Sequence, residues 1–458
     1  MRGQMSGTLL LAARAVLCAQ QAPLTIQQAV ENALRNYPAI RVSQEQINAA
    51  SAGIQLARTS YLPRVDLLAQ ANRATRNNVF GLLLPQSVIP SMSGPVIGTN
   101  NFGTAWGSAA GVLLSWEPFD FGLRRANVAA ASAVRGEAEA TLQRTRYDVA
   151  VATADAYLTL DAAEETVRAA LAGVDRAEVI LRTINALANA GLRPGADAAR
   201  AQAELAAART QWIQAKTATE VARATVSQFT GTEPAQITLA APKLLQLPPE
   251  QDAAAAPSNF AANPIAAEQD AAAERAKAEL RALERSYFPR FSLQGSAYAR
   301  GTGAELNGAL LGGLNGLAPS VQNYALGFTV TFPAMDLPAI QAREAMQSAS
   351  VRAQAARSQQ IAVELRARWN AATARLRGAR EVASNTPVQV SAARAAVQQA
   401  TARYQAGLAN IDDLAEAQRL LTQAEIDDAL ARLSVWRGLL EIATVAGDLQ
   451  PFLVQASQ

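Results

Sequence analysis

The chain contains itself twice. Tyr61–Leu62–Pro63–Arg64 returns as Tyr287–Phe288–Pro289–Arg290, a shift of 226 residues. Farther on the shift settles at 216. It pairs Gly111 with Gly327 (GVLLSW and GFTVTF), Asp120 with Asp336, and Ala190–Gly191–Leu192 with Ala406–Gly407–Leu408. It also pairs Ala201–Gln202 with Ala417–Gln418, and Gly231 with Gly447. A single offset held over such a span is the mark of an internal duplication. The change in shift places a longer insertion between Tyr61 and Gly111 in the first copy. The expected organisation is a leader over 1–19, a first repeat over 20–241, a linker over 242–259 and a second repeat over 260–458. The linker contains PKLLQLPPEQDAAAAPSN, where prolines and acidic residues interrupt helix.

Each copy reads in the same order: a helix, two strand-like runs, a very long helix, a short break and another helix. The strand pairs fall within 61–117 and 287–333. In NYALGFTVTF, Tyr324, Leu326, Phe328, Val330 and Phe332 alternate with small and hydroxyl residues. In FSLQGSAYAR, Phe291, Leu293, Gly295, Ala297 and Ala299 oppose a polar row, and VDLLAQAN alternates in the same way. WGSAAGVLLSW has small or apolar residues on both faces. Period-two alternation predicts strands with one apolar face. Each run is about ten residues, the length a tilted strand needs to cross a bilayer. Aromatics bracket both pairs at the helix end: Tyr61, Trp116, Phe119 and Phe121 in one copy, Tyr287, Phe288 and Phe332 in the other. Such residues suit a membrane–water girdle.

The long helix of the first copy is predicted from about Asp120 to Asn189 without a proline. Its counterpart, from about Asp336 to Gln405, contains Gly378 and Pro387, which predicts a kink near Asn385. Rods of this length, in a chain that is 50% hydrophobic but only 5% aromatic, suit helices packed closely side by side.

Composition narrows the function. The chain has no His and one Cys. The commonest metal ligand and general acid–base is therefore missing, and a His/Cys metal centre or a Ser–His or Cys–His centre cannot be built. No enzyme, cofactor or metal is expected. A carboxylate-dependent hydrolase would need paired acids in a cleft, and none stands out beyond the helix starts. No basic cluster with interleaved aromatics points to nucleic acid.

The N-terminus, MRGQMSGTLLLAARAVLCAQQAP, has the basic start, apolar run and small-residue exit of a secretory signal, with Arg14 interrupting it. Cleavage after Cys18 or Ala19 fits. A lipidated Cys18 is the second reading, against which Leu17 stands where a small residue belongs. Removing Arg2 and Arg14 leaves a net charge of about +1. No later run of about 18–20 apolar residues offers a spanning helix. An exported chain of this kind is either soluble or crosses a membrane as strands.

At this point the residues carry a resemblance. LTIQQAVENALRNYPAI, the paired YLPR and YFPR strand starts, SWEPFDFG at Ser115–Gly122 and RYQAGLANIDDLAEAQRLL at Arg403–Leu421 resemble the TolC family of outer-membrane efflux ducts. The resemblance covers nearly the whole chain after the leader. It implies a mainly α protein with a membrane β-barrel: a trimeric 12-stranded barrel through the outer membrane, continued by an α-barrel of long helices into the periplasm. Four strands per chain leave two edges and cannot close a channel alone. Two copies would give eight strands, a number that side chains fill, so a conduit favours three or more.

The resemblance further implies a passive exit duct of a tripartite efflux or type I secretion system. Its partners would be a periplasmic adaptor protein, an inner-membrane pump and outer-membrane lipid. Gly191, Leu192, Gly407 and Leu408 would form the adaptor-contact tip turns. Asp413 and Glu416, with Asp197 in the first copy, would form the pore constriction, where rings of carboxylates select by charge. Asp413 also reads as the acidic partner of an Asn410 helix cap. In the first copy Arg200 stands where Glu416 would have its counterpart, and Arg193 follows the turn. Tyr61, Trp116, Phe119, Tyr287, Phe288 and Phe332 would mark the membrane interface. The two strand-connecting loops read as covers for the barrel mouth. The rival reading is a secreted coiled-coil scaffold or periplasmic adaptor with no channel.

Overall fold

A computed structural model describes residues 23–75, 103–192, 194–240, 244, 246–249, 260–305 and 309–457. The leader with Cys18, most of the first strand-connecting loop, Arg193 and most of the 242–259 linker lie outside the described residues. In chain order the elements are α1 (Ile26–Asn36), α2 (Pro38–Thr59), β1 (Arg64–Thr75), β2 (Thr104–Phe119), α3 (Leu123–Asn189) and α4 (Gly195–Thr230). There follow α5 (Pro264–Arg285), β3 (Arg290–Thr302), β4 (Val321–Thr331), α6 (Leu337–Gln405), α7 (Ile411–Ala446) and α8 (Gln450–Ser457).

Local chemistry sets these boundaries. Thr25 caps α1: its hydroxyl accepts from the Gln28 N–H at 3.2 Å, and the Gln28 side chain accepts from the Thr25 N–H at 3.1 Å. Pro38 then disfavours helix at Tyr37, which is extended (φ −68°, ψ 125°), and α2 starts afresh. α4 and α7 end at Gly231 and Gly447, both left-handed with φ of 71° and 87°. α3 and α6 are continuous helices of 67 and 69 residues. Pro387 lies inside α6 without ending it. The proline removes one ladder hydrogen bond. Beside it, the Thr386 hydroxyl donates to Asp428 of α7 at 2.7 Å and holds the helix against its neighbour. The helix thus runs through the position near Asn385 where a kink was expected, with no interruption of α6.

The described residues form two compact units. One takes in Thr145–Asn263 and Val363–Gln458 together with the chain before Val42. Its main core joins Ile26 and Val30 of α1, Tyr157 and Leu158 of α3, Leu433 and Trp436 of α7, and Phe452 of α8. Full burial of each such side chain contributes about 1.5–3 kcal/mol. The polar tips of the large aromatics are satisfied. The Tyr157 hydroxyl donates to the Leu24 carbonyl at 2.8 Å, and the Trp436 indole N–H donates to the Gln246 carbonyl at 3.1 Å. A smaller core of Ile184, Ala201, Tyr404, Ile411 and Leu414 lies where α3, α4, α6 and α7 turn.

The other unit takes in Val42–Arg144 and Pro264–Ala362. Here α3 and α5 are linked by Arg144–Glu268 at 2.5 Å and Arg275–Glu137 at 2.8 Å. Its sheet has four antiparallel strands in the order β1-β2-β3-β4. β2 pairs with β3, so the two predicted strand pairs form one sheet, and β1 and β4 each keep an unpaired edge within it. The strands have 12, 16, 13 and 11 residues, slightly longer than expected.

Candidate functional site

Directly paired residues of an antiparallel ladder point to the same face. The register therefore sorts every strand position. Val65 pairs with Leu114, Leu67 with Val112, Trp116 with Leu293, Leu293 with Phe328, and Gly295 with both Leu114 and Leu326. These residues, with Phe291, Ala297, Tyr324 and Val330, make one continuous apolar face. The opposite face is mainly polar: Arg64, Asp66, Gln70, Asn72, Ser115, Gln294, Ser296, Tyr298, Arg300, Asn323, Thr329 and Thr331, joined by Leu68, Leu113 and Val321, while Arg73, Ser108 and Gln322 fall on the apolar side toward the loop end of the strands. β2, ambiguous as sequence, is thereby resolved: Trp106, Ala110, Val112, Leu114 and Trp116 lie on the apolar face. That face is open, with Tyr324 88% exposed, Leu67 80% and Leu326 76%. Water tolerates scattered apolar residues but not a wide contiguous patch, so this surface is built to be covered.

The strand-to-helix joint after β2 is tightly organised. Phe121 is the one non-glycine residue with positive φ (50°) among the described residues, followed by Gly122 at 89°. The reversal brings Arg124 back onto Asp120, their side chains 2.9 Å apart and both buried. Asp120 also accepts the N–H groups of Gly122 and Arg124, at 3.1 and 2.7 Å. Burial alone would raise the Asp120 carboxyl, but these N–H groups and the guanidinium outweigh it and hold the pKa below the usual value. Arg124 reaches on to the Ser60 carbonyl at 3.2 Å and lies over the Tyr61 ring at 4.9 Å. The Trp116 indole donates to the Tyr61 carbonyl at 3.1 Å. The sequence reading singled out Tyr61, Trp116 and Phe119 but missed Arg124. Its signal was the acid four residues ahead in FDFGLRR, an i,i+4 ion pair at a helix start.

Of the six expected interface aromatics, the structure gathers two into one cluster. Phe119 contacts Phe121 at 4.7 Å and Phe291 at 5.9 Å, and Phe121 stacks on Phe288 at 5.2 Å. Tyr61 and Trp116 join through the indole hydrogen bond. Tyr287 instead donates to Glu344 of α6 at 2.5 Å. Phe332 follows β4 and is exposed.

In the helical unit, both predicted turns are glycine-closed helix ends. Gly191 and Gly407 have φ of 69° and 80°. The Leu192 N–H reaches the Leu187 carbonyl at 2.9 Å, and Leu408 reaches Arg403 at 2.8 Å, which is the six-to-one bond of a Schellman motif. Leu192 and Leu408 themselves are 70% and 72% exposed.

The acidic residues beside the turns are brought together across the two hairpins. Asp197, in the first turn of α4, accepts from the Tyr404 hydroxyl at 3.0 Å. Arg200 pairs with Asp412 at 2.7 Å. Asp413 accepts from the Asn410 N–H at 3.4 Å, completing the expected capping box. Glu416 pairs with Arg419 at 3.2 Å, and Arg419 also faces Glu204 at 3.7 Å. Glu416 and Arg419 border a groove of about 440 Å³ between α3, α4 and α7, lined by Gly173, Ala177, Ala208 and Ala415. Among the described residues no cluster of His, Cys, Asp and Glu could hold a metal ion, and no helix is long and apolar enough to cross a membrane.

This architecture has known counterparts. The family model described as outer membrane efflux protein matches residues 29–232 and 260–448. Protein CyaE of Bordetella pertussis is 29% identical over 219 residues, which is 48% of this chain and 42% of that protein. The alignment thus spans about two-fifths of the curated relative it matches. Among solved structures, the Campylobacter jejuni CmeC outer membrane channel superposes with a TM-score of 0.74 at 17% identity, over 94% of this chain and 89% of that one. The outer membrane protein VceC of Vibrio cholerae gives 0.70 at 17% identity, over 92% and 96%. The outer-membrane channel OprN gives 0.71 at 23% identity, over 92% and 89%. At these identities the structures establish a shared fold, and the family model establishes descent. The chain belongs to the outer membrane efflux protein family, the TolC-like channels of the outer membrane.

Proposed function

We propose that the protein is the passive exit duct of a tripartite efflux or type I secretion system. Three copies close their four-stranded sheets into one 12-stranded barrel in the outer membrane, and their long helices continue it as a hollow wall through the periplasm. In this reading its two repeats lie in the segments 29–232 and 260–448 that the family model matches. One observation supports this above the others: a sheet with one contiguous apolar face, one polar face and two open edges. Lipid covers the first face, water fills the space along the second, and neighbouring copies satisfy the edges.

The duct does no covalent chemistry, and energy comes from an inner-membrane pump. The exposed Leu192 and Leu408, at the glycine turns, are the surface that a periplasmic adaptor protein engages. Asp197, Asp413 and Glu416 form the constriction behind those turns, and it opens when the helices that carry them untwist.

Purification tests the reading. The expected product is extractable only in detergent, runs as a heat-resistant trimer on mild gels and gives step conductances in planar bilayers. Leu326→Arg, on the apolar face, should abolish insertion, whereas Thr329→Arg, on the polar face, should be tolerated. A monomer that stays dispersed in detergent-free buffer removes the duct and favours a soluble helical scaffold.

A further inference from the structure

Asp161 lies one helical turn after Tyr157 in α3. It has no exposed surface, and neither carboxylate oxygen has a hydrogen-bond partner among the described residues. Its flanking residues sit in two apolar cores. Leu158 and Ala162 pack with α1, α7 and α8, while Leu160 packs with Ala222 and Val226 of α4. Because the burial arises within one chain, association with further copies cannot expose the group.

The charges around it give only partial relief: the Arg168 field favours the ionised form, but burial and the fields of Glu165 and Glu164 outweigh it. On its own helix, Glu164 and Glu165 are acids of the same sign, and the Arg168 guanidinium is already bound to Glu165. From α4, Arg223 is taken by Glu164 at 3.0 Å and Glu220 at 3.4 Å. From α7, Arg432 pairs with Asp428 at 2.7 Å, and its field falls on Glu165. α1 brings Glu31 and Arg35, exposed and paired with each other at 3.6 Å, and α8 carries no titratable side chain. A buried ionised carboxylate without a donor is strongly unfavourable, whereas the neutral acid is far less so.

We propose that Asp161 is a proton-operated latch of this core: the packed structure holds the neutral acid, and loss of the proton loosens α1 and α8 from α3. Burial, with the fields of Glu165 and Glu164, pushes the carboxyl up to about 7. The sign follows from linkage. The folded state binds this proton more tightly than the unfolded chain, whose value is near 3.8. The extra stability is therefore complete below the unfolded value and is lost as pH rises through about 7. α1 and α8, of 11 and 8 residues, are too short to persist without packing and should respond first.

The test is hydrogen–deuterium exchange on the full-length protein in detergent, wild type against Asp161→Asn, at about pH 5 and about pH 8, on either side of the expected titration. After correction for the chemical exchange rate, wild-type protection of α1 and α8 should fall by about tenfold or more at the higher pH, while the Asn variant keeps it at both. The same pH response in both proteins overturns the proposal. Should the variant fail to fold, isotope-edited infrared spectra of wild type, with labelled aspartate, decide. A carboxylic-acid C=O band present near pH 6 and gone by about pH 8 supports the latch, and its absence near pH 6 refutes it.

Discussion

The Arg200 guanidinium stands 2.7 Å from the Asp412 carboxylate, joining the second turn of α4 to the first turn of α7. Beside it, the Tyr404 hydroxyl bonds Asp197. The ion pair is half exposed on both sides, so it contributes only about 0–1 kcal/mol. A fastening of this strength holds a shape at rest and yields to a modest push.

Removing it should therefore change transport more than folding. Arg200→Ala combined with Tyr404→Phe should raise mean single-channel conductance while lowering unfolding stability by only about 1–2 kcal/mol. Bilayer recordings and thermal melts on the same preparations check both halves. Unaltered conductance removes these contacts from any role in closure.

Ion preference tests the carboxylates separately. Asp413→Asn with Glu416→Gln should weaken or abolish cation preference, measured as the reversal potential across a salt gradient. Asp413→Asn keeps an acceptor for the Asn410 N–H, so the start of α7 should survive, visible as unchanged helicity. Unchanged preference would discard the acidic constriction.

The buried Asp120–Arg124 pair predicts a large, one-sided effect. Arg124→Leu leaves a buried carboxylate with fewer donors and should destabilise the fold by about 3–5 kcal/mol. Because the Asp120 pKa is lowered in the folded state, its contribution is present above the ordinary carboxylate value and is lost as pH falls through the depressed one. Acid-induced unfolding of Asp120→Asn should accordingly lack that component. Identical acid titrations for wild type and variant would refute the assignment.

Gly231 and Gly447 allow a matched comparison. Both are left-handed helix ends, so Ala at either adds about 1 kcal/mol of backbone strain. At Gly231 a new Cβ meets nothing closer than 4.0 Å, whereas at Gly447 it would lie 2.7 Å from the Asn263 Cα. Gly447→Ala should cost clearly more than Gly231→Ala in denaturant midpoint, and equal shifts would show that the 260s segment yields freely.

Much of this structure could be read from the sequence because it repeats simple periods. The alternation at Tyr324–Phe332 and Phe291–Ala299 specified both the strands and the face they share. The Ala-rich, proline-free run before Asn189 specified α3. Glycine after a helix specified the turns at Gly191 and Gly407. What escaped notice depended on partners distant in sequence. The face of β2 was undetermined because Ala109, Ala110 and Gly111 are small on both sides, and only pairing with β1 and β3 decided it. The Arg200–Asp412 pair joins residues from the two halves, a relation that no local pattern encodes. Pro387 lies inside a continuous α6, which the Thr386–Asp428 bond ties to α7, a neighbour that local propensity cannot see. The burial of Asp161 likewise depends on cores built from α1, α4, α7 and α8, which no local pattern around it encodes.

The unpaired margins of β1 and β4 have a consequence for biogenesis. A lone subunit offers the bilayer two rows of naked amide groups, which hydrocarbon does not accommodate. If the duct is built as proposed, membrane entry and subunit association form a single event, dependent on concentration. On that reading the cell is spared leaky half-built pores, because an incomplete ring has no way into the lipid.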